Sequence, residues 1–219
     1  MPTDAARTPV VVAVGQSIER DEIVTPVDLA VRASSTVLDQ APGLAKSLER
    51  LTMVGVIFSK AGQNPASAIA ERLGLGDDVT AEVTSAGGNT PQWLVTRAAR
   101  DIAAGQLTAT LITGAEATRS QRASGEAAGG LFQGDRPVAG DGDGDGRQDV
   151  MVHAGDEDFL GPGEINARLF LPAHVYPIFE SAAAAAAGRS FAEPRDFLGA
   201  MLARVTDVAA DHPYAWFPE

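Results

Sequence analysis

Few side chains in this sequence have the type and spacing needed for chemistry. There is no cysteine, which rules out disulfides, thiolate metal sites and a cysteine nucleophile within these 219 residues. The three histidines, His153, His174 and His212, are far apart, and none belongs to an HExxH-like metal pattern. Each reads as structural. The stretch from Asp141 to Asp149 (DGDGDGRQD) alternates aspartate with glycine, as loops that wrap a hard cation do. The twelfth position of such a loop would be Val152 rather than glutamate, so a solvated surface loop is expected and no metal site is assigned. Gly15-Gln16-Ser17 does not extend to GxGxxG, and no Walker A motif is present. The remaining candidate is Gly87-Gly88-Asn89-Thr90, just ahead of a helix signal. Backbone N–H groups at a helix start can hold a carbonyl oxygen or an oxyanion, although a tight strand-to-helix turn also calls for small residues. Asn89 and Thr90 can hydrogen-bond a ligand there, but no general base accompanies Thr90.

The elements that must position this turn alternate strand and helix signals. Pro9 to Gly15 is apolar and β-branched and reads as a buried strand. Thr25-Pro26-Val27-Asp28 opens a helix, with Thr25 as N-cap, and Leu29, Ala33, Val37 and Ala41 keep helical spacing. Leu51 to Phe58 is a second strand, Asn64-Pro65 starts a second helix closed by Gly74, and Asp78 to Thr84 is a third strand. The helix after Pro91 places Leu94, Val95, Ala98, Ala99 and Ile102 on one face and stops at Gly105, before a strand from Leu107 to Thr113. Alternation of this kind predicts an α/β fold, a mixed, mostly parallel five-stranded sheet covered by helices. Residues 1–116 form that core. Residues 117–219 read as an acidic loop followed by a helical insertion, with helices from Ala173 to Ala187 and from Pro194 to Ala210.

Charge and composition narrow the partners. The net charge is −12, and eight acids against two arginines between Asp135 and Asp158 supply −6 of it. No basic patch is present, which argues against nucleic acid and anionic membranes. The N-terminus has no apolar leader and no run long enough to span a bilayer, so a cytoplasmic location is expected.

The segment TSAGGNTPQWLVTRAARDIAAGQLTATLITGAEATRS, from Thr84 to Ser120, resembles the nucleophile-bearing segment of thiolases. Ile102-Ala103-Ala104-Gly105 matches the end of the family's buried helix, and Gly114-Ala115-Glu116 matches its GxE motif. Val175-Tyr176, Phe179-Glu180, Gly188-Arg189-Ser190 with Glu193, and His212 to Phe217 resemble the SCP2-type, acetyl-CoA acetyltransferase-like branch. The resemblance implies an acyltransferase-class protein that handles acyl-CoA as substrate, with no separate cofactor. It departs from the family in two ways. Gly88 stands where the family has its cysteine, and a second α/β half, which supplies a histidine and a further cysteine, lies outside these residues. Thiolase activity by this chain alone is therefore not expected. A C-terminal half or partner chain, in a homo- or hetero-oligomer, would complete the site. Gly87, Gly88, Asn89 and Arg189 are the expected substrate contacts. Arg195 is a further candidate beside Arg189, and Trp93 is placed at the acyl pocket or a half-to-half interface. Two other functions remain open: a non-catalytic binding or assembly subunit, and a retro-aldolase partner acting on CoA thioesters.

Overall fold

The computed structural model describes residues 7–85, 87–125, 147–153, 161–169, 172–190 and 193–215, and divides into two units, Met1–Glu157 and Asp158–Glu219. The first unit begins with helix α1 (Pro26–Gln40), a 3-10 turn (Leu44–Ser47) and strand β1 (Leu48–Met53). Helix α2 (Pro65–Arg72), β2 (Thr80–Thr84), α3 (Thr90–Ala103), β3 (Ala109–Thr113), α4 (Thr118–Ala123) and β4 (Val150–Val152) follow. The strands form one sheet in the order β3-β1-β2-β4, and every pairing is parallel. From β1 the chain moves one strand over to β2, then two strands back to β3. Right-handed crossovers in opposite directions put α2 and α3 on opposite faces, with α1 packed beside α2.

Helix boundaries follow local chemistry. Thr25 caps α1 in a reciprocal box with Asp28, each taking the other's backbone N–H at 3.1 and 2.7 Å. Burial by itself would raise the Asp28 pKa, but hydrogen bonds from Thr25 and the Arg72 guanidinium outweigh it and hold the carboxyl below its ordinary value. Gly74 and Gly105 end α2 and α3 with φ of +66° and +70°, which side chains with a Cβ adopt only with strain. The cap of α2 comes from far along the chain. Asn64 makes no side-chain cap bond; instead the Asp149 carboxylate accepts from Ala66 N, Ser67 N and Ser67 Oγ at 2.7–2.8 Å. The backbone N–H of Asp149 in turn donates to Asn64 Oδ1.

The two sheet faces differ in character. Leu51, Met53, Ala81 and Leu111 point toward α1 and α2 and join Ala30, Ala66, Ile69 and Ala70 in the apolar core. The alternate residues of β1 and β2, toward α3, are charged or polar, whereas Ile112, Val150 and Val152 of the flanking strands are apolar. Arg50 pairs with Asp101 of α3. Glu82, almost fully buried, accepts two bonds from the Arg97 fork, at 2.6 and 2.9 Å, and one from Thr52 Oγ1 at 2.9 Å. The bond to Glu82 also raises the Arg97 pKa further.

Several expectations need correction. Residues 9–15 do not form a strand. Val10, Val11, Val12 and Val14 are 63–78% exposed, and the run pairs with no described strand. A strand is held by its neighbours' hydrogen bonds, and a β-branched composition alone cannot supply them. The expected five-stranded mixed sheet is therefore, among the described residues, a four-stranded parallel one. Gly15 therefore ends no strand; it lies against α1, where a Cβ would stand 2.3 Å from the Ala33 carbonyl oxygen. The strand expected over Leu51 to Phe58 lies instead at Leu48–Met53, because later N–H groups go to a side chain, described below. On α3 only Thr90 and Leu94 are fully buried, and Val95 is half exposed, since this helix docks on the sheet through ion pairs more than through an apolar face. Asp149-Val150-Met151-Val152, expected within the acidic loop, leads into and forms β4.

In the second unit, α5 (Pro162–Asn166), α6 (Pro172–Ala186, with Pro177 inside it) and α7 (Glu193–Ala209) follow the expected helical insertion. Their only fully buried described side chain is Ala184, and Tyr176, Phe179, Phe197 and Met201 are exposed.

Two measurements check these contacts. Arg97→Met strands the Glu82 carboxylate and should cost about 3 kcal/mol, the lower end for a broken buried pair because Arg97 is partly exposed. Glu82→Leu added to it should recover most of the loss in urea unfolding; an unchanged midpoint in the single variant would refute the assignment. Asp149→Ala should lower stability by about 1–2 kcal/mol through the lost α2 cap, whereas Asn64→Ala should cost clearly less.

Candidate functional site

In an open parallel sheet the carboxyl ends of the strands share one edge, and ligands bind there. Here that edge gathers residues 54–59 after β1, Ser85 and Gly87 to Asn89 after β2, Gly114 to Ala117 after β3, and His153 after β4. The loops are tied together by side chains. Gly55 N donates to Thr84 Oγ1 at 3.0 Å, and Val54 N donates to the Thr113 carbonyl at 2.8 Å. The Glu116 carboxylate accepts from the backbone N–H of Ile57, of Phe58 at 3.2 Å and of Ser59 at 3.1 Å, and from Ser59 Oγ at 2.7 Å. Ser59 Oγ also accepts from Ala117 N at 2.8 Å. One carboxylate thus folds the loop after β1 onto the turn after β3. This is the structural work of Gly114-Ala115-Glu116, and Gly114 is the small residue that lets β3 pass Val54, 3.1 Å from where its Cβ would stand.

Among these loops, the turn from β2 into α3 carries the candidate site. Ala86 lies outside the described residues. Gly88 and Asn89 stand at the N-terminus of the 14-residue α3, where the Asn89 side chain makes no cap bond and the first turn holds no acidic residue. Thr90 N donates to the Gly87 carbonyl, Trp93 N to the Asn89 carbonyl, and Pro91 has no N–H, so the helix dipole is what gives this end positive character. A Cβ built on Gly88 would meet nothing within 4 Å, and Gly88 is not among the positive-φ residues. Neither sterics nor backbone conformation requires glycine here, unlike Gly15 or Gly114. The expectation that this turn needs a small residue therefore does not hold for Gly88. Ser85 Oγ and Thr90 Oγ1 flank the turn as buried oxygens with no hydrogen-bond partner in the chain. Sequence reasoning placed Thr90 beside the site but passed over Ser85, which matches no motif.

The other sequence candidates are distributed differently. Gly87, Gly88 and Asn89 are brought together in the turn, where the Gly87 carbonyl accepts from Thr90 N at 3.3 Å. Arg189 belongs to the second unit and follows Gly188 (φ +64°) at the end of α6, where its backbone N–H donates to the Ala184 carbonyl. Arg195 lies exposed on α7 of the same unit. Trp93 is half-buried on α3, with the Arg97 guanidinium 5.7 Å from its ring centroid. His153 follows Val152, which pairs with Thr84, so it leaves the sheet beside Ser85. His174 Nδ1 bonds the Arg168 carbonyl, and His212 Nδ1 accepts from Tyr214 N.

Of the aspartate-rich loop, residues 141–146 lie outside the described residues. Its last two charged members are engaged elsewhere: Arg147 bonds the Gly76 carbonyl, and Asp149 caps α2. Among the described residues no group of three or more acids or histidines is gathered for a metal, and no helix is long and apolar enough to cross a membrane.

Comparison with known proteins agrees with this architecture. No curated protein sequence matches the chain. Among solved structures, the chain is similar to a protein described as a monomeric SCP2-thiolase-like protein type 1 from Mycobacterium smegmatis. The TM-score is 0.64 at 24% identity, over 95% of this chain and 36% of that one. At that identity the likeness shows the fold, and this chain spans about a third of the other's length. The thiolase N-terminal domain profile matches residues 3–154, which include β1 to β4 and the turn carrying Gly88. With more than half its length so matched, the chain belongs to the thiolase family, as its N-terminal domain.

Proposed function

We propose that this chain binds acyl-CoA thioesters as the N-terminal part of a thiolase-like acyltransferase, and that by itself it carries out no thiolase reaction. The observation that carries the reading is the β2–α3 turn. It brings Gly88 to the start of a helix at the carboxyl edge of the sheet, with open space where a side chain would stand. Backbone N–H groups in such a place can hold a thioester carbonyl oxygen. Acyl transfer through a covalent intermediate needs a nucleophile, and glycine has none. On this reading Gly87, Gly88 and Asn89 meet the acyl end, and Arg189 meets the phosphates of CoA. A C-terminal half or partner chain supplies the acid–base groups, in a homo- or hetero-oligomer in the cytoplasm.

One observation favours an assembly role beside this one. Helix α3 has only two fully buried residues, and its Val95 is half exposed, so much of its surface is available to pack against another element.

Isothermal titration with acetyl-CoA and with a longer acyl-CoA tests the proposal, with the mass in solution measured alongside. Saturable binding that survives Gly88→Ala and falls about tenfold or more in Arg189→Ala, the scale of one lost charge-assisted contact, supports an acyl-CoA site without its nucleophile. No heat from either ligand, in a well-folded sample, removes the CoA reading and leaves the assembly role.

A further inference from the structure

Residues 147–152 are held in the first unit by polar contacts. None of their side chains belongs to the apolar core or packs against it, and Val150, at the start of β4, is half exposed. Arg147 donates to the Gly76 carbonyl at 3.1 Å and to the Val79 carbonyl at 3.4 Å, and stands 3.5 Å from the Asp77 carboxylate. The Asp149 carboxylate accepts from Ala66 N, Ser67 N and Ser67 Oγ at the start of α2, while its own N–H donates to Asn64 Oδ1 at 3.2 Å. The ladder of β4 on β2 runs only from the Glu82–Val150 pair to the Thr84–Val152 pair. A segment with so little buried apolar surface lies at the low end of local stability, where parts of a fold open before the whole.

Helix α2 cannot be indifferent to that opening. Pro65 has no N–H and the Asn64 side chain makes no cap bond, so the next two backbone donors both go to Asp149. Ala66 is 0% exposed, and Ser67 is buried as well. If the segment lifted while the helix stayed closed, those N–H groups and the Ser67 hydroxyl would be left buried without partners, which folded chains avoid. Loosening of the first turn lets water take the place of Asp149 instead. We propose that residues 147–152 form a strap, and that its release and the fraying of the α2 start are a single event. Lifting the strap also uncovers the edge of β2, so one local opening changes three elements together. The core of Leu51, Met53 and Ile69 contains no part of the strap and stays closed when it lifts. The proposal concerns a motion built into the fold and is independent of the acyl-CoA reading.

Amide hydrogen exchange on the 15N-labelled full chain tests this, under conditions where exchange reports the opening equilibrium. Arg147→Ala is the first variant, because Arg147 bonds the turn after α2 whereas the amides to be read lie at the helix start. Exchange at Asp149, Ala66 and Ser67 should speed up together by about tenfold, the scale of one lost hydrogen bond to a charged group. The Val54 amide, which donates to the Thr113 carbonyl between β1 and β3, should keep its rate. Val150→Gly, which loosens β4 itself, should act on the same three amides and again leave Val54 unchanged. Faster exchange at Asp149 with Ala66 and Ser67 unchanged would mean that the strap lifts alone, and would overturn the proposal. An equal rise at Val54 would make the opening global and overturn it too. So would unchanged exchange at all three amides in both variants.

Discussion

The placement of α3 depends on one buried ion pair. Glu82 sits in the middle of β2, where a parallel sheet covered on both faces would ordinarily carry a β-branched apolar residue. Its carboxylate is almost fully shielded from water and is tolerable there only because the Arg97 fork and the Thr52 hydroxyl take up its lone pairs. Arg97 lies two turns into α3, so the pair fixes the helix both in height and in rotation against the sheet. Arg50 and Asp101 repeat the arrangement one turn further along. An apolar contact would tolerate sliding by a fraction of a turn, whereas a bidentate guanidinium–carboxylate pair does not. The start of α3, and with it Gly88, is thereby held at the carboxyl edge of the sheet.

Two further carboxylates do similar work for the backbone. Glu116 collects the N–H groups of residues 57–59, and Asp149 collects those that open α2. In both cases a loop with no ladder of its own is held by a side chain more than fifty residues away. The net charge of −12 therefore has two components. Some acids are solvated on the surface. Others, such as Glu82, Glu116 and Asp149, act as acceptors for donors that the fold would otherwise leave unpaired.

What was readable in the sequence follows from the same distinction between local and distant chemistry. Thr25, Pro26 and Asp28 announce α1 because a capping box is complete within four residues. Gly74 and Gly105 announce helix ends because the left-handed conformation is a property of one residue. The fold class was legible because the alternation of strand and helix is itself local, and the GxE motif made the family visible. The Val10 to Val14 run misled because its composition speaks for a strand while pairing depends on a neighbour. β4 escaped notice because three residues carry too little periodicity to stand out. The polar residues under α3 were hidden for a related reason: Arg50, Thr52 and Glu82 look like surface alternation until α3 is known to cover them. Ser85, lastly, is unremarkable as a sequence character and informative only as a buried oxygen without a partner.

The glycine at position 88 is best understood against the other glycines of the same unit. Gly15 and Gly114 are held by close contacts that a Cβ would violate, and Gly74 and Gly105 by positive φ. Their identity is dictated by folding. Gly88 meets neither condition, since its Cβ position is empty and its backbone is not left-handed. A side chain could be present without cost to the fold, so its absence bears on chemistry rather than on architecture. Around that position stand the start of α3, a first turn without an acidic residue, and the buried Ser85 and Thr90 hydroxyls. A cysteine in that place, as the resemblance to thiolases implies for the family, would bring a thiolate of its own. Glycine in that position brings no nucleophile and no charge of its own to the start of α3.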